Sequence, residues 1–135
     1  MCEKRKNELT KGEMEACISE VIIKFEKEYM GRGPEETKTY IIKDMIFIRL
    51  NGVLTKAEKK LSENIEGRML VKQTRARLLE DSRELLENAV QKITNCKVIS
   101  MHTDISTKKG ERIIVFILNK DLEEKIDPSL KKKKL

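Results

Sequence analysis

Ser100, His102 and Asp104 alternate along one stretch of the chain and include its single histidine, which makes them the residue types of a nucleophile, a base and an orienting carboxylate. Residues two apart on a strand lie ~7 Å from each other, so the ~3 Å hydrogen bonds of a triad cannot run in sequence along it. The spacing argues against a serine hydrolase. His102 and Asp104 offer two metal ligands, but no third is identifiable, and no metal or other cofactor is expected. The plainer expectation is a partly exposed sheet-edge histidine bonded to Asp104 or to a partner chain.

Gly31, Arg32, Gly33 and Pro34 do not form a phosphate loop, because no strand precedes them and the G-x-x-x-x-G-K-[ST] spacing is missing. They read as a helix stop and turn. Within that turn Arg32 is the best anion-binding candidate, since the flanking glycines let an anion or a partner carboxylate approach its guanidinium and the nearby backbone N–H groups. Glu35 with Glu36, and Glu123 with Glu124, read as solvated charge. Cys2, Cys17 and Cys96 are scattered and lack a C-x-x-C pair, so free thiols are expected, with Cys17 as core packing. No catalytic residue is assigned, and the chain reads as a non-enzyme.

The elements that position these residues follow from periodicity. Met14, Cys17, Ile18, Val21, Ile22, Phe25 and Tyr29 recur at helical steps after Thr10, and Gly31 predicts the stop. Residues 37–42 and 45–50 are short runs rich in Thr, Ile, Tyr and Phe around a two-residue Lys43-Asp44 turn. That register opposes Tyr40 to Phe47 and Ile42 to Met45 on one face, with Ile41, Ile46, Ile48 and Leu50 on the other. Thr55 and Glu58 form a capping-box signature for a short helix, interrupted near Gly67 and leading into a long one that ends at Asn95. Residues 97–105 and 111–119 make a second hairpin. The fold class is α+β: two helix-plus-hairpin units forming a four-stranded antiparallel sheet with helices on one face.

The length of 135 residues suits one domain, expected over residues 11–122 between a basic N-terminal tail (1–10) and a Lys-rich C-terminal tail (123–135). The net charge of +6 sits in those tails. Residues 131–134 contribute four positive charges, and Lys4, Arg5 and Lys6 less Glu3 contribute two, leaving the body formally neutral. Nucleic-acid binding through the tails is therefore the weaker alternative, because such folds carry their charge on the folded surface. The longest apolar run, residues 113–118, is far short of the ~20 residues of a membrane span, and the charged N-terminus lacks a signal-peptide core. A cytoplasmic location is expected. Both faces of the strands are apolar, and the chain has too few helices to cover two, so a homo-oligomer, most simply a dimer, is expected through Tyr40, Ile42, Met45 and Phe47.

Residues 29–35, 48–55 with Glu58, 70–75, and 102–107 with Gly110, Glu111 and Arg112 resemble the motifs of one bacterial family, the MpsC-like domain of unknown function. The resemblance spans residues 11–122. It implies a link to a sodium-translocating, membrane-potential-generating system associated with inorganic carbon uptake, and no catalytic residue carries over. The family's recurrent positions here are Gly31, Arg32, Gly33, Pro34, Arg49, Gly52, His102, Thr103 and Asp104, a candidate anion or partner surface. The expected function is an accessory or regulatory protein that binds a protein partner, with a membrane cation or inorganic-carbon transport system as the candidate. The alternative is an anion-sensing or small-molecule-sensing oligomeric domain with Arg32 and His102 in one pocket.

Overall fold

The computed structural model describes residues 9–134, so the basic cluster of Lys4, Arg5 and Lys6 lies outside the described residues. Helix α1 (Lys11–Tyr29) begins at a reciprocal cap, where Thr10 Oγ1 accepts from Glu13 N at 3.1 Å and Thr10 N donates to Glu13 Oε1 at 3.2 Å. It ends as expected, with Gly31 at φ 94°, a backbone conformation that disfavours a Cβ. Strands β1 (Glu36–Ile42) and β2 (Met45–Asn51) pair antiparallel with Tyr40 opposite Phe47 and Ile42 opposite Met45, the register that the two-residue turn predicts. Lys43 takes the positive φ that a short hairpin turn needs.

Helix α2 (Lys56–Leu61) starts at the expected Thr55–Glu58 capping box. The predicted interruption falls at residues 62–64, and Gly67 lies inside the next helix, α3 (Ile65–Asp81). Gly67 is there for close approach, since a Cβ at that position would lie 1.6 Å from the Leu61 carbonyl oxygen. The expected long helix is broken once more at Ser82, where α4 (Arg83–Thr94) begins. Residues 67, 71, 75 and 79 recur every four residues, a spacing that wanders ~40° around a helix per step. The break at Ser82 brings the stripe of Leu86, Val90 and Thr94 back toward the core.

After Asn95, left-handed at φ 56°, β3 (Val98–Ser106) and β4 (Glu111–Leu118) form the second hairpin. The sheet order is β1-β2-β4-β3, all antiparallel, so the Ile-rich strands β2 and β4 are central. This is the expected α+β fold. Helix α1 packs on β1 and α4, while α3 and α4 pack on β3, so these helices share one face of the sheet. Ile18, Ile22, Ile41, Ile46, Ile48, Leu50, Ile114 and Phe116 fill the space between the layers.

The domain boundary expected at Leu122 falls inside α5 (Leu122–Ile126), which is tied to the body. Leu122 is fully buried and Lys125 Nζ donates to the carbonyls of Thr94 and Asn95 at 3.1 and 3.0 Å. A 3₁₀ helix over Pro128–Lys134 follows. Cys96 is a buried free thiol, whereas Cys17, expected free, is disulfide-bonded in the core. Cys2 lies outside the described residues.

Candidate functional site

Two regions draw attention, one under the helices and one on the open face of the sheet. Under the helices, the Arg75 guanidinium on α3 spans three acceptors. Its Nε and Nη2 donate to Glu58 Oε2 and Oε1, both at 2.7 Å, in a fork-on-fork pair. Its Nη2 also donates to the Val53 carbonyl at 2.7 Å, and its Nη1 to Glu26 Oε1 on α1 at 3.2 Å. Arg112 on β4 brings Nη1 to 4.0 Å from Glu26 Oε2, close enough for charge attraction and too far for a hydrogen bond. Two carboxylates and two guanidiniums thus join α1, α2, α3, the loop after β2, and β4.

Their environments differ. Burial pushes the Glu26 carboxyl up, against the pull of Arg112 and Arg75. Burial likewise lowers the affinity of Arg112 for its proton, only partly offset by Glu26. Burial also acts on Glu58 in the raising direction, but the bonds from Arg75 and from the Thr55 cap outweigh it and hold Glu58 below the usual carboxylate value. Glu26, Arg75 and Arg112 are all but inaccessible, and none of them lines the main clefts of the described residues. The network's chemistry is that of a clamp between elements. The sequence places Glu58 in a cap and Arg75 and Arg112 in motifs, and assigns Glu26 no role. The available signal was a charged residue at an apolar register position: Glu26 continues the four-residue series Met14, Ile18, Ile22.

On the open face, strand pairing arranges side chains in rows across β1, β2, β4 and β3. The first row is Ile42, Met45, Ile117 and Ser100; the second is Tyr40, Phe47, Val115 and His102. The third is Lys38, Arg49, Ile113 and Asp104, and the fourth is Glu36, Asn51, Glu111 and Ser106. The first two rows are nearly all apolar, and Tyr40 and Ile42 are each 45% exposed. Polarity therefore rises along the strands and not across them. Arg49 donates to Glu111 Oε2 at 2.8 Å within the polar end.

The remaining candidates are dispersed. Arg32 donates to the Gly33 carbonyl at 3.3 Å and the Leu54 carbonyl at 3.4 Å, and its Nη2 lies 3.6 Å from Glu35 Oε1. Its guanidinium thus closes the turn of Gly31, Gly33 and Pro34 onto the loop after β2. His102 Nε2 lies 3.2 Å from Ser100 Oγ, so His102 pairs with Ser100 and not with Asp104. Thr103 Oγ1 donates to the Ile113 carbonyl at 2.9 Å, and Asp104 Oδ1 accepts from Ile105 N at 2.8 Å. Arg32 and His102 share neither a bonding partner nor a main cleft. Among the described residues no group of three or more His, Cys, Asp or Glu could hold a metal ion, and no helix is long and apolar enough to cross a membrane.

The chain is 45% identical over 121 residues to the uncharacterized protein YbcI of Bacillus subtilis (strain 168), covering 90% of this chain and 98% of that one. It is 27% identical over 109 residues to the uncharacterized protein YrhF of the same organism, covering 79% and 88%. No solved structure matches. A family model described as "Na+-translocating membrane potential-generating system (MpsC)" matches residues 10–120, nearly the whole folded body, and the chain belongs to the MpsC family.

Proposed function

We propose that the protein is a non-enzymatic accessory or regulatory protein that acts by binding other proteins, within a sodium-translocating membrane system of the kind its family's description names. The observation that carries this reading is that the fold leaves apolar surface uncovered on two sides, the first being the open sheet face, where Tyr40, Ile42, Met45, Phe47, Val115 and Ile117 stand uncovered by the chain's own helices. A contiguous apolar patch of this kind on a small domain marks an interaction surface. The placement of the charges supports it: the strongest cluster is spent on holding the helices to the sheet. A second apolar patch lies on α3, where Ile65, Met69 and Leu70 are all more than half exposed, on a helix whose other side is pinned by Arg75. That patch suits an apolar segment of an integral-membrane subunit.

The test is site-specific photo-cross-linking at Met69 in membranes of the native host, followed by mass spectrometry. The expected product is an adduct with an integral-membrane, ion-translocating subunit, lost in Ile65→Glu. Adducts confined to soluble enzymes or to the protein itself would overturn the reading.

A further inference from the structure

We infer that the open sheet face is a homodimer interface in which two sheets pack face to face about a two-fold axis running along the strands, placing Lys38 of each protomer against Asp104 of the other. The inference rests on reading that face as a protein-binding surface, and it names the occupant.

The argument is one of matching. An isologous interface must be self-complementary, so each row of the face meets whichever row the symmetry axis assigns to it. An axis across the strands through the middle of the face would lay the Ile42, Met45 and Ile117 row on the Glu36, Asn51 and Glu111 row, stripping water from charges against apolar side chains, and one shifted to the apolar end would bury only the first two rows and leave Lys38 and Asp104 outside the contact. An axis along the strands keeps every row on its own copy and exchanges columns, so β1 meets β3 and β2 meets β4. Met45 and Phe47 then pack on Ile117 and Val115 of the other protomer at the centre. Tyr40 meets His102, and Lys38 meets Asp104, at the outer columns.

Charge fits this arrangement. Lys38 has no ion-pair partner among the described residues, and Asp104, 87% exposed at its side chain, has only a loose one in Lys72 at 3.9 Å. Arg49 and Glu111 already neutralise each other within the protomer. Aligned sheets pack ~10 Å apart at about 30°, which displaces the outer columns by roughly one residue, and a lysine side chain spans that offset. Four strands at ~4.8 Å and seven residues at ~3.4 Å give a face of about 450 Å² in projection. Protruding side chains raise its accessible area toward the ~800 Å² per partner of a standard interface.

The experiment combines multi-angle light scattering with sedimentation titration of the full chain. The wild type is expected at twice 15.7 kDa at high micromolar concentration. Lys38→Glu and Asp104→Lys should each weaken the dimer by about tenfold, because two ion pairs become two like-charge contacts, and the double variant should return to within about threefold of wild type. Both positions are exposed, so these variants fold. A wild-type monomer at that concentration would sink the dimer while leaving the membrane-subunit cross-link, and thus the broader reading, intact. Equal weakening in the double variant and the single variants would overturn the axis. A Phe47→Glu protein that stays dimeric would overturn the face.

Discussion

The two sides of the sheet handle charge in opposite ways. On the helix-covered side, Glu26, Arg75 and Arg112 occupy positions that an apolar side chain could fill, and they persist because each has a counter-charge within 4.0 Å. On the open side the charges are confined to one end, and the apolar side chains are left to water. Buried charge is costly to desolvate, so a clamp of this kind is weak evidence of added stability, yet removing one partner is expensive. An apolar face in water costs the folded protomer little and gains on association. Substitutions on the covered side should therefore act on folding, and those on the open side on assembly.

The largest effect tests the covered side. Arg75→Met keeps the bulk on α3 and deletes the group that joins Glu26, Glu58 and Val53. It should cost about 3–5 kcal/mol, since Glu26 would remain fully buried with only distant Arg112. Urea denaturation at low micromolar concentration, where association contributes little, measures it. A loss under 1 kcal/mol would mean that the clamp is ornamental and that packing alone seats α3.

Glu58→Gln is next, with a pH signature. Glu58 titrates below its ordinary value in the fold, so the stability it adds is complete above the unfolded value near 4.5 and is lost as pH falls through its lower folded value. At pH 7 the variant should lose about 1–3 kcal/mol, having weakened both the fork with Arg75 and the cap at Thr55. The gap between the two proteins should narrow below pH 4.5. Glu26 works in the other direction: its raised value means that stability declines as pH rises from about 4.5 through its folded value. Glu26→Gln should remove that decline, and a pH-independent difference for both variants would contradict the assigned charge states.

How much of this was legible in the sequence differs between the two sides. The Lys43-Asp44 turn fixed the hairpin register because the side-chain period is two, and a one-residue slip would have turned every apolar residue of the strand to the wrong face. The open face could thus be read from residues 37–50, before β4 supplied Val115 and Ile117. The covered side was less readable. Glu26, Arg75 and Arg112 signal burial by interrupting apolar stripes, but nothing local says that residues 26, 58, 75 and 112 converge. Gly67 looks like a helix break in the sequence because its reason, contact with the Leu61 carbonyl, lies in packing between helices. The Ser82 break has no glycine or proline to announce it. The glycines that flank Arg32 make it look open to an anion, and those same glycines let it fold back on the Leu54 carbonyl.

Phe47→Glu sharpens the contrast from the open side. Phe47 is half-buried at the centre of the apolar rows, so the protomer should lose only ~1 kcal/mol while the inferred dimer should dissociate. Circular dichroism and sedimentation on the same samples separate the two. A protomer that unfolds would place Phe47 in the folding core and erase the distinction between the faces.

The smallest effect belongs to His102. Its ring is exposed on edge strand β3, with one hydrogen-bond contact, to Ser100 Oγ at 3.2 Å. An exposed strand position away from caps, cavities and buried networks changes stability by no more than about 0.5 kcal/mol, so His102→Ala should unfold at nearly the wild-type urea midpoint. In the dimer inferred above, His102 would face Tyr40 of the other protomer at an outer column, where solvent remains close and truncation should weaken association by less than threefold. A loss of several kcal/mol in the protomer would instead make His102 part of a buried network and bring the chemistry of the covered face to the open one.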